Sequence, residues 1–98
     1  MALKMTVLIE NHLPPRAAAG MQSRAGLSIL LDVGESRILF DSGPDETFVR
    51  NAKLINEPLT DLDVVVLSHG HYDHSGGIAS LSPGTHIICP PCVLGKMY

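Results

Sequence analysis

Four side chains of metal-binding types lie within six positions of one another, in the segment Ser-His-Gly-His-Tyr-Asp-His-Ser-Gly-Gly at residues 68–77. They are His69, His71, Asp73 and His74. Imidazole and carboxylate groups bind divalent zinc, iron and manganese, and four of them on one short loop can serve two adjacent ions. Two such ions, about 3.5–4 Å apart, can activate a water molecule and polarise the bond that it attacks. The spacing therefore predicts part of a dinuclear metal site.

The segment before this loop predicts how the loop is positioned. Residues 64–67 read Val-Val-Val-Leu, a continuous apolar run without polar alternation. Such a run is typical of a strand that is covered on both faces. In open α/β sheets, ligands bind beyond the carboxyl ends of the strands, and the histidine loop begins at that end.

The remaining patterns predict an α/β fold with a mixed sheet. Strands are expected at residues 5–10, 27–32, 37–41 and 85–89, with a hairpin turn at 33–36 between the second and the third. Asp45 is expected to cap a helix whose apolar positions are Phe48, Ala52 and Ile55, and Pro58 is expected to end it. A second, short helix is predicted from Ser75 to Leu81.

Composition and charge exclude several classes of function. The chain has 98 residues, 45% of them hydrophobic, and a net charge of −3 without a concentration of Lys or Arg. This balance gives no reason to expect a nucleic-acid partner. The apolar runs are too short to span a membrane, and residues 1–10 lack the features of a signal peptide. We therefore expect a cytoplasmic protein.

Two cysteines form the sequence Cys89-Pro90-Pro91-Cys92 near the C-terminus. A Cys-x-x-Cys pair can be a redox dithiol or half of a structural zinc site. No second pair completes a zinc site, and the prolines remove backbone N–H donors that stabilise a thiolate. Incidental loop cysteines, a redox pair and a metal site all stay open as interpretations.

The order His-x-His-x-Asp-His, placed after an apolar strand and before Gly76-Gly77, resembles the metallo-β-lactamase superfamily. The upstream segment Phe40-Asp41-Ser42-Gly43 is similar to the segment that precedes the first helix in that superfamily. The resemblance looks closest to the branch of 7,8-dihydropterin-6-methyl-4-(β-D-ribofuranosyl)-aminobenzene-5′-phosphate synthase. It implies an αββα sandwich, a mixed β-sheet with flanking helices, of which residues 1–98 would form the N-terminal half without the C-terminal half.

The resemblance also implies roles for individual residues. His69 and His71 would bind a first metal, and Asp73 and His74 a second. Asp73 would in addition orient the nucleophile and so take part in catalysis. Asp41 would hydrogen-bond the loop backbone or a ligand and fix its orientation. The implied cofactor is a pair of zinc ions, with iron or manganese as alternatives.

The function implied by the resemblance is that of a metal-dependent hydrolase, in which a metal-bound hydroxide attacks an ester, amide or phosphoester. The superfamily's later ligands have no counterpart here. His86 is the one histidine after His74 in the sequence, and no Asp or Glu follows His74. The alternative is therefore a truncated, inactive fragment or half-domain that binds metal weakly. Such a half-domain would self-associate or need a complementing chain.

Overall fold

A computed structural model describes residues 3–11, 20–57, 59–69, 71–82 and 84–89, without the side chains of Tyr72 and Asp73. In chain order, its elements are strand β1 (Leu3–Ile9), strand β2 (Ser28–Val33), strand β3 (Ser36–Phe40), helix α1 (Thr47–Leu54), strand β4 (Val64–Val66), helix α2 (Tyr72–Ser75), a 3₁₀ helix (Gly76–Ser80) and strand β5 (Ile87–Ile88).

The five strands form one mixed sheet in the order β1-β2-β3-β4-β5. β1, β2 and β3 pair antiparallel, whereas β3, β4 and β5 pair parallel. Val33 pairs with Ser36 across the predicted hairpin, and Gly34 in its turn has a φ of 62°. A two-residue hairpin turn favours glycine or asparagine because such positive φ angles are needed there. The predicted α/β class and mixed sheet are confirmed.

The core lies on the face of the sheet that α1 covers. Leu30, Leu39 and Val65 are cross-strand neighbours, and none of them is exposed. Phe48 and Ala52 of α1, also fully buried, belong to the same hydrophobic cluster. The apolar spacing predicted for α1 thus points its side chains into this core.

The opposite face of the sheet, called the open face below, is also apolar. Its two cross-strand rows consist of Met5, Leu31, Ile38 and Val64, and of Val7, Ile29, Phe40, Val66 and Ile88. None of these side chains belongs to the described core cluster, and Met5 and Ile88 are 62% and 53% exposed. Within residues 64–67, Val65 and Leu67 are buried and Val64 and Val66 are half-buried, so the expected covering on both faces is met in part by the described residues.

Helix α1 ends before the predicted stop at Pro58, which lies outside the described residues. Asn56 has a left-handed φ of 59°, and its N–H donates to the carbonyl of Lys53 at 3.1 Å. The N–H of Glu57 donates to the carbonyl of Ala52 at 2.8 Å. These two bonds form a Schellman motif, which satisfies the last carbonyls of the helix. The helix is ended by this motif, with Asn56 in the place that glycine usually takes.

Two further elements differ from their predicted bounds. The helix predicted from Ser75 is a 3₁₀ helix, and Ser75 does not cap it, because its hydroxyl donates instead to the carbonyl of His71 at 3.0 Å. The strand predicted at residues 85–89 is reduced to Ile87–Ile88, so His86 lies just before it. No helix in the described part of the chain combines the length and apolar character that a bilayer crossing needs.

Candidate metal centre

The parallel pairing of β3 and β4 brings the predicted site residues together. Phe40 pairs with Val66 at the ends of the two strands, and the N–H of Asp41 donates to the carbonyl of Val66 at 2.9 Å. Asp41 and the histidine loop therefore leave the sheet side by side at one edge. This is the edge at which α/β sheets bind ligands.

Asp41 is the buried centre of this region. Its Oδ1 accepts a hydrogen bond from the N–H of Ser68 at 2.8 Å, and its Oδ2 accepts bonds from Ser68 Oγ at 2.7 Å and His74 Nδ1 at 2.8 Å. The residue is completely buried and has a left-handed φ of 58°, a conformation that aspartate tolerates better than most residues. A buried carboxylate requires such donors to offset its loss of hydration.

These hydrogen bonds fix the tautomers of two histidines. A carboxylate only accepts hydrogen bonds, so the Nδ1 atom of His74 carries a hydrogen. The Ser68 hydroxyl has one hydrogen, which it donates to Asp41. His69 Nδ1 lies 2.8 Å from Ser68 Oγ, so this nitrogen must donate to that oxygen. In the neutral form of each ring, the lone pair is then on Nε2. This is the nitrogen that each histidine would offer to a metal ion.

The segment after Asp41 anchors the second half of the loop. The N–H of Ser42 donates to the carbonyl of His74 at 2.7 Å. The N–H of Gly77 lies within hydrogen-bonding distance of both Ser42 Oγ and the carbonyl of Gly43, at 3.0 Å in each case. Both ends of the histidine loop are thus tied to residues 41–43.

The two glycines after the loop allow this close approach. A Cβ on Gly77 would lie 2.6 Å from both the Asp45 carbonyl oxygen and a ring carbon of Phe48. A Cβ on Gly76 would lie 2.3 Å from the carbonyl oxygen of Pro44. Real side chains do not reach such distances, so this packing requires glycine at both positions.

A group of side chains that could hold a metal ion, called the metal-binding group below, is present among the described residues. Ligand atoms of Asp41, His69 and His74 all lie within 4.8 Å of one another. The ring centroids of His69 and His74 are 4.2 Å apart, and both residues are partly exposed. Two imidazoles held by one carboxylate fit a divalent ion such as zinc. Because Asp41 is buried and engaged by three donors, we interpret it as the residue that orients the histidines.

Of the other two predicted ligands, the structure describes only the side chain of His71. The ring of His71 is exposed, and its centroid lies 4.9 Å from that of His69 in an edge-on arrangement. The side chain of Asp73 lies outside the described residues. The catalytic role of Asp73 and the division of the four ligands between two metals therefore stay predictions.

Of the cysteine motif, the structure describes only Cys89. Cys89 is a free, half-buried cysteine that packs against the core, and Cys92 lies outside the described residues. The described part of Cys89-Pro-Pro-Cys92 therefore does not decide among the three interpretations.

Sequence reasoning missed Ser68 and Ser42 as part of the site. Ser68 directly precedes His69, and its N–H and hydroxyl both donate to Asp41. Ser42 directly follows Asp41 and binds the carbonyl of His74. The sequence signal was only their adjacency to Asp41 and His69, and adjacency does not predict which partners the hydroxyl groups take.

Curated proteins of known sequence resemble this chain over part of their length. The 7,8-dihydropterin-6-methyl-4-(beta-D-ribofuranosyl)-aminobenzene-5′-phosphate synthase of Methanocaldococcus jannaschii is 41% identical over 61 residues, which cover 57% of this chain and 21% of that protein. The lactamase-like protein aptB of Emericella nidulans is 36% identical over 83 residues, covering 83% and 25%. The chain thus spans about a quarter or less of the length of these relatives.

Solved structures share the fold. The crystal structure of Tm1679, a metal-dependent hydrolase of the beta-lactamase superfamily, matches with a TM-score of 0.68 and 34% identity over 88% of this chain and 29% of that one. A diphosphatase from the PhnP family matches with a TM-score of 0.67 over 98% and 45%, and at 20% identity it shows the fold alone. The sequence profile of the metallo-beta-lactamase superfamily matches residues 22–87, two thirds of the chain. This chain is therefore a member of the metallo-beta-lactamase superfamily.

Proposed function

We propose that the chain supplies one side of the divalent metal centre of a metal-dependent hydrolase. The observation that carries this proposal is the convergence of His69 and His74 on the buried carboxylate of Asp41. A polar cluster of this kind is costly to bury, and it orients two imidazole nitrogens toward the same partly exposed region. Membership of a superfamily that includes the hydrolase Tm1679 supports the same activity.

His69 and His74 would hold a zinc ion, with His71 and Asp73 as further ligands from the same loop. When bound, a divalent ion lowers the pKa of water and polarises the group under attack. The part of Asp41 and Ser68 is to hold the imidazoles in one orientation, so that little reorganisation is needed on binding. The proposed substrates are small molecules with an ester, amide or phosphoester bond.

A second candidate is a half-domain that needs another polypeptide before it can turn over substrate. The observation that favours it is the open face, where Met5, Val7 and Ile88 are 62%, 39% and 53% exposed. Contiguous apolar surface of this kind marks interaction sites in soluble proteins. The proposed occupant is a second copy of this chain or a complementing chain with an apolar sheet of its own.

Zinc binding by the 98-residue chain tests the metal centre. Equilibrium dialysis and calorimetry would compare the native chain with His69→Ala, His74→Ala and His86→Ala. His86 is an exposed histidine outside the described metal-binding group, so His86→Ala is the matched control. We expect the first two changes to weaken zinc binding about tenfold or more, and the control to leave it unchanged. Equal effects of all three changes would contradict the proposal.

Turnover and size measured together separate the two candidates. The zinc-loaded chain would be assayed against nitrophenyl acetate and bis(nitrophenyl) phosphate while its mass is measured by sedimentation. The second candidate predicts no turnover by the monomer, and lower self-association when Met5 and Val7 are changed to serine. Turnover by a monomeric chain would exclude that candidate and support a self-sufficient hydrolase.

A further inference from the structure

Ser68 connects the two histidines of the metal-binding group to a single carboxylate. Its hydroxyl donates to Asp41 Oδ2 at 2.7 Å and lies 2.8 Å from His69 Nδ1. The same Oδ2 atom accepts the hydrogen bond of His74 Nδ1 at 2.8 Å. The chain of hydrogen bonds therefore runs from His69 through Ser68 to Asp41, and directly from His74 to Asp41.

The geometry gives the Ser68 hydroxyl only one consistent role. Asp41 is completely buried, and the hydroxyl of Ser68 donates its hydrogen to Asp41 Oδ2 at 2.7 Å. The oxygen of that hydroxyl is then an acceptor for His69 Nδ1–H. Without the Ser68 hydroxyl, neither Ser68 nor Asp41 would hydrogen-bond His69 Nδ1. Water would then hydrogen-bond the ring in either tautomer.

We propose that Ser68 is a positioning residue that holds His69 in its Nδ1–H tautomer, so that Nε2 is the nitrogen presented to the metal. The expected effect of Ser68 on metal affinity rests on the proposed function. The tautomer itself is a property of the metal-free chain and can be measured separately. Partners of this kind, one hydrogen bond removed from the metal, change affinity by about 10–100-fold when they are altered.

The position of Ser68 makes a clean substitution possible. Ser68 is an exposed residue at the mouth of the site, whereas Asp41 below it is buried. Removal of the hydroxyl leaves the backbone N–H of Ser68 bound to Asp41 Oδ1 at 2.8 Å, so the loop stays attached to the sheet. We therefore expect Ser68→Ala to fold, with a loss of stability of about 1 kcal/mol.

The test compares Ser68→Ala with Ser68→Thr and Ser28→Ala. Threonine restores the hydroxyl, so it should rescue the native behaviour. Ser28 is buried, and its hydroxyl donates to the backbone carbonyl of Asp41 at 2.8 Å, not to its carboxylate. Ser28→Ala therefore removes one hydrogen bond to Asp41 but leaves the hydrogen bonds that link Asp41, Ser68 and His69.

The primary readout is the tautomer of each histidine, obtained from side-chain ¹⁵N shifts of the metal-free chain at a pH where imidazole is neutral. We expect His69 to be Nδ1–H in the native chain, Ser68→Thr and Ser28→Ala, and to become largely Nε2–H in Ser68→Ala. His74, which binds Asp41 directly, should stay Nδ1–H in all four proteins. Zinc affinity should fall about tenfold in Ser68→Ala alone.

The outcomes separate this inference from the proposed function. An unchanged His69 tautomer in Ser68→Ala would overturn the role of Ser68, whatever the zinc affinity. The expected tautomer change in a chain that binds no zinc would support the role of Ser68 and overturn the metal centre. Failure of threonine to restore the tautomer would also overturn the inference, because it assigns the effect to the hydroxyl.

Discussion

The two ends of β3 carry polar clusters whose charged side chains have different kinds of partners. Near its beginning, the guanidinium of Arg37 pairs with Asp32 at 2.9 Å, with Glu57 at 3.1 Å and with Asp61. Just past its end, the carboxylate of Asp41 accepts hydrogen bonds from Ser68 and His74. One end gathers opposite full charges, and the other surrounds one charge with hydrogen-bond donors.

In the cluster at Arg37, each carboxylate is paired with a cationic side chain of the same chain. Partial burial lowers the pKa of Arg37, but hydrogen bonds to Asp61 and Asp32 outweigh that effect and raise it above its ordinary value. The Arg37 side chain is 15% exposed, whereas that of Asp61 is 69% exposed. Such a network stabilises the chain modestly and has no need of a ligand.

The cluster at Asp41 has a different balance. Its partners among the described residues are a backbone N–H, a hydroxyl and an imidazole, and none of them is a permanent cation like a guanidinium. The comparison teaches that a permanent cation among the described partners, more than the number of polar groups, distinguishes the structural end of β3 from the candidate metal centre. Four substitutions can break or sharpen this distinction.

The largest effect is expected for Asp41→Asn. Asparagine also tolerates a left-handed φ, so the change tests the carboxylate rather than the backbone. The amide nitrogen cannot accept hydrogen bonds, and buried donors lose their partner at about 1–3 kcal/mol each. We expect a loss of about 3 kcal/mol in the free energy of unfolding in urea, together with loss of zinc binding.

The control for Asp41→Asn is Asp61→Asn at the other end of β3. Asp61 is 69% exposed in its ion pair, and such surface pairs contribute about 0–1 kcal/mol. Equal destabilisation by the two changes would remove the distinction between the clusters.

The second largest effect is expected for Gly77→Ala. The added methyl would meet the carbonyl oxygens of Asp45 and Ser42 at 2.6 and 2.7 Å, and overpacking of this kind costs about 1–3 kcal/mol. Thermal unfolding would measure the loss, and a zinc titration would show whether the loop moves. Gly84→Ala is the control, because its Cβ would meet nothing within 4 Å and only the φ of 86° opposes it. A native zinc affinity in a destabilised Gly77→Ala would mean that the loop and its anchor are uncoupled.

A smaller effect is expected for Arg37→Met. The change leaves Asp32 without its guanidinium partner, whereas Glu57 keeps its ion pair with Lys4, and partial exposure limits the cost to about 1–2 kcal/mol. Zinc affinity should not change, since Arg37 lies at the other end of β3. Arg37→Lys keeps the charge but loses the planar fork, so its stability should be intermediate. A loss of zinc binding in Arg37→Met without unfolding would show that the two clusters are coupled.

The smallest effect is the pH dependence that Asp45 contributes at the start of α1. Hydrogen bonds from the side chain and backbone of Thr47 lower the pKa of Asp45 below its ordinary value of 3.8. The unfolded state therefore binds more protons, so the stabilisation is present above pH 3.8 and is lost as the pH falls through the folded pKa. The Asp45 side chain is 42% exposed, so we expect less than about 1 kcal/mol.

Urea unfolding at pH 7 and pH 3 would compare the native chain with Asp45→Asn. The variant should lose stability at pH 7 and approach the native value at pH 3. Glu35→Gln, in the exposed hairpin turn, controls for the removal of any one carboxylate. A difference that grows toward low pH would contradict the assigned direction.

The sequence predicted the parts of the fold that depend on local pattern. Apolar runs marked the strands, and the spacing of Phe48 and Ala52 marked the buried face of α1. The end of α1 could not be predicted in the same way, because a left-handed Asn56 competes with the stronger signal of Pro58. The strand around Ile87 is shorter than its pattern, since it pairs with β4 over only two residues.

The histidine loop and Asp41 could be predicted from the sequence, but the hydrogen bonds that connect them could not. The spacing from His69 to His74 identified the loop, and the resemblance suggested a supporting role for Asp41. The link through Ser68 depends on the register of β3 and β4, which sets Ser68 beside Asp41 across 27 positions of sequence. Local patterns do not encode such a register, so the role of Ser68 required the structure.

The most direct test of the metal centre is a histidine side-chain ¹H–¹⁵N spectrum of the whole labelled chain during a zinc titration. The resonances of His69 and His74 should move to metal-bound positions through Nε2, whereas those of His86 should stay in place. Zinc-induced changes at His86 alone, or unchanged His69 and His74 resonances at saturating zinc, would contradict the assignment of this cluster as a metal centre.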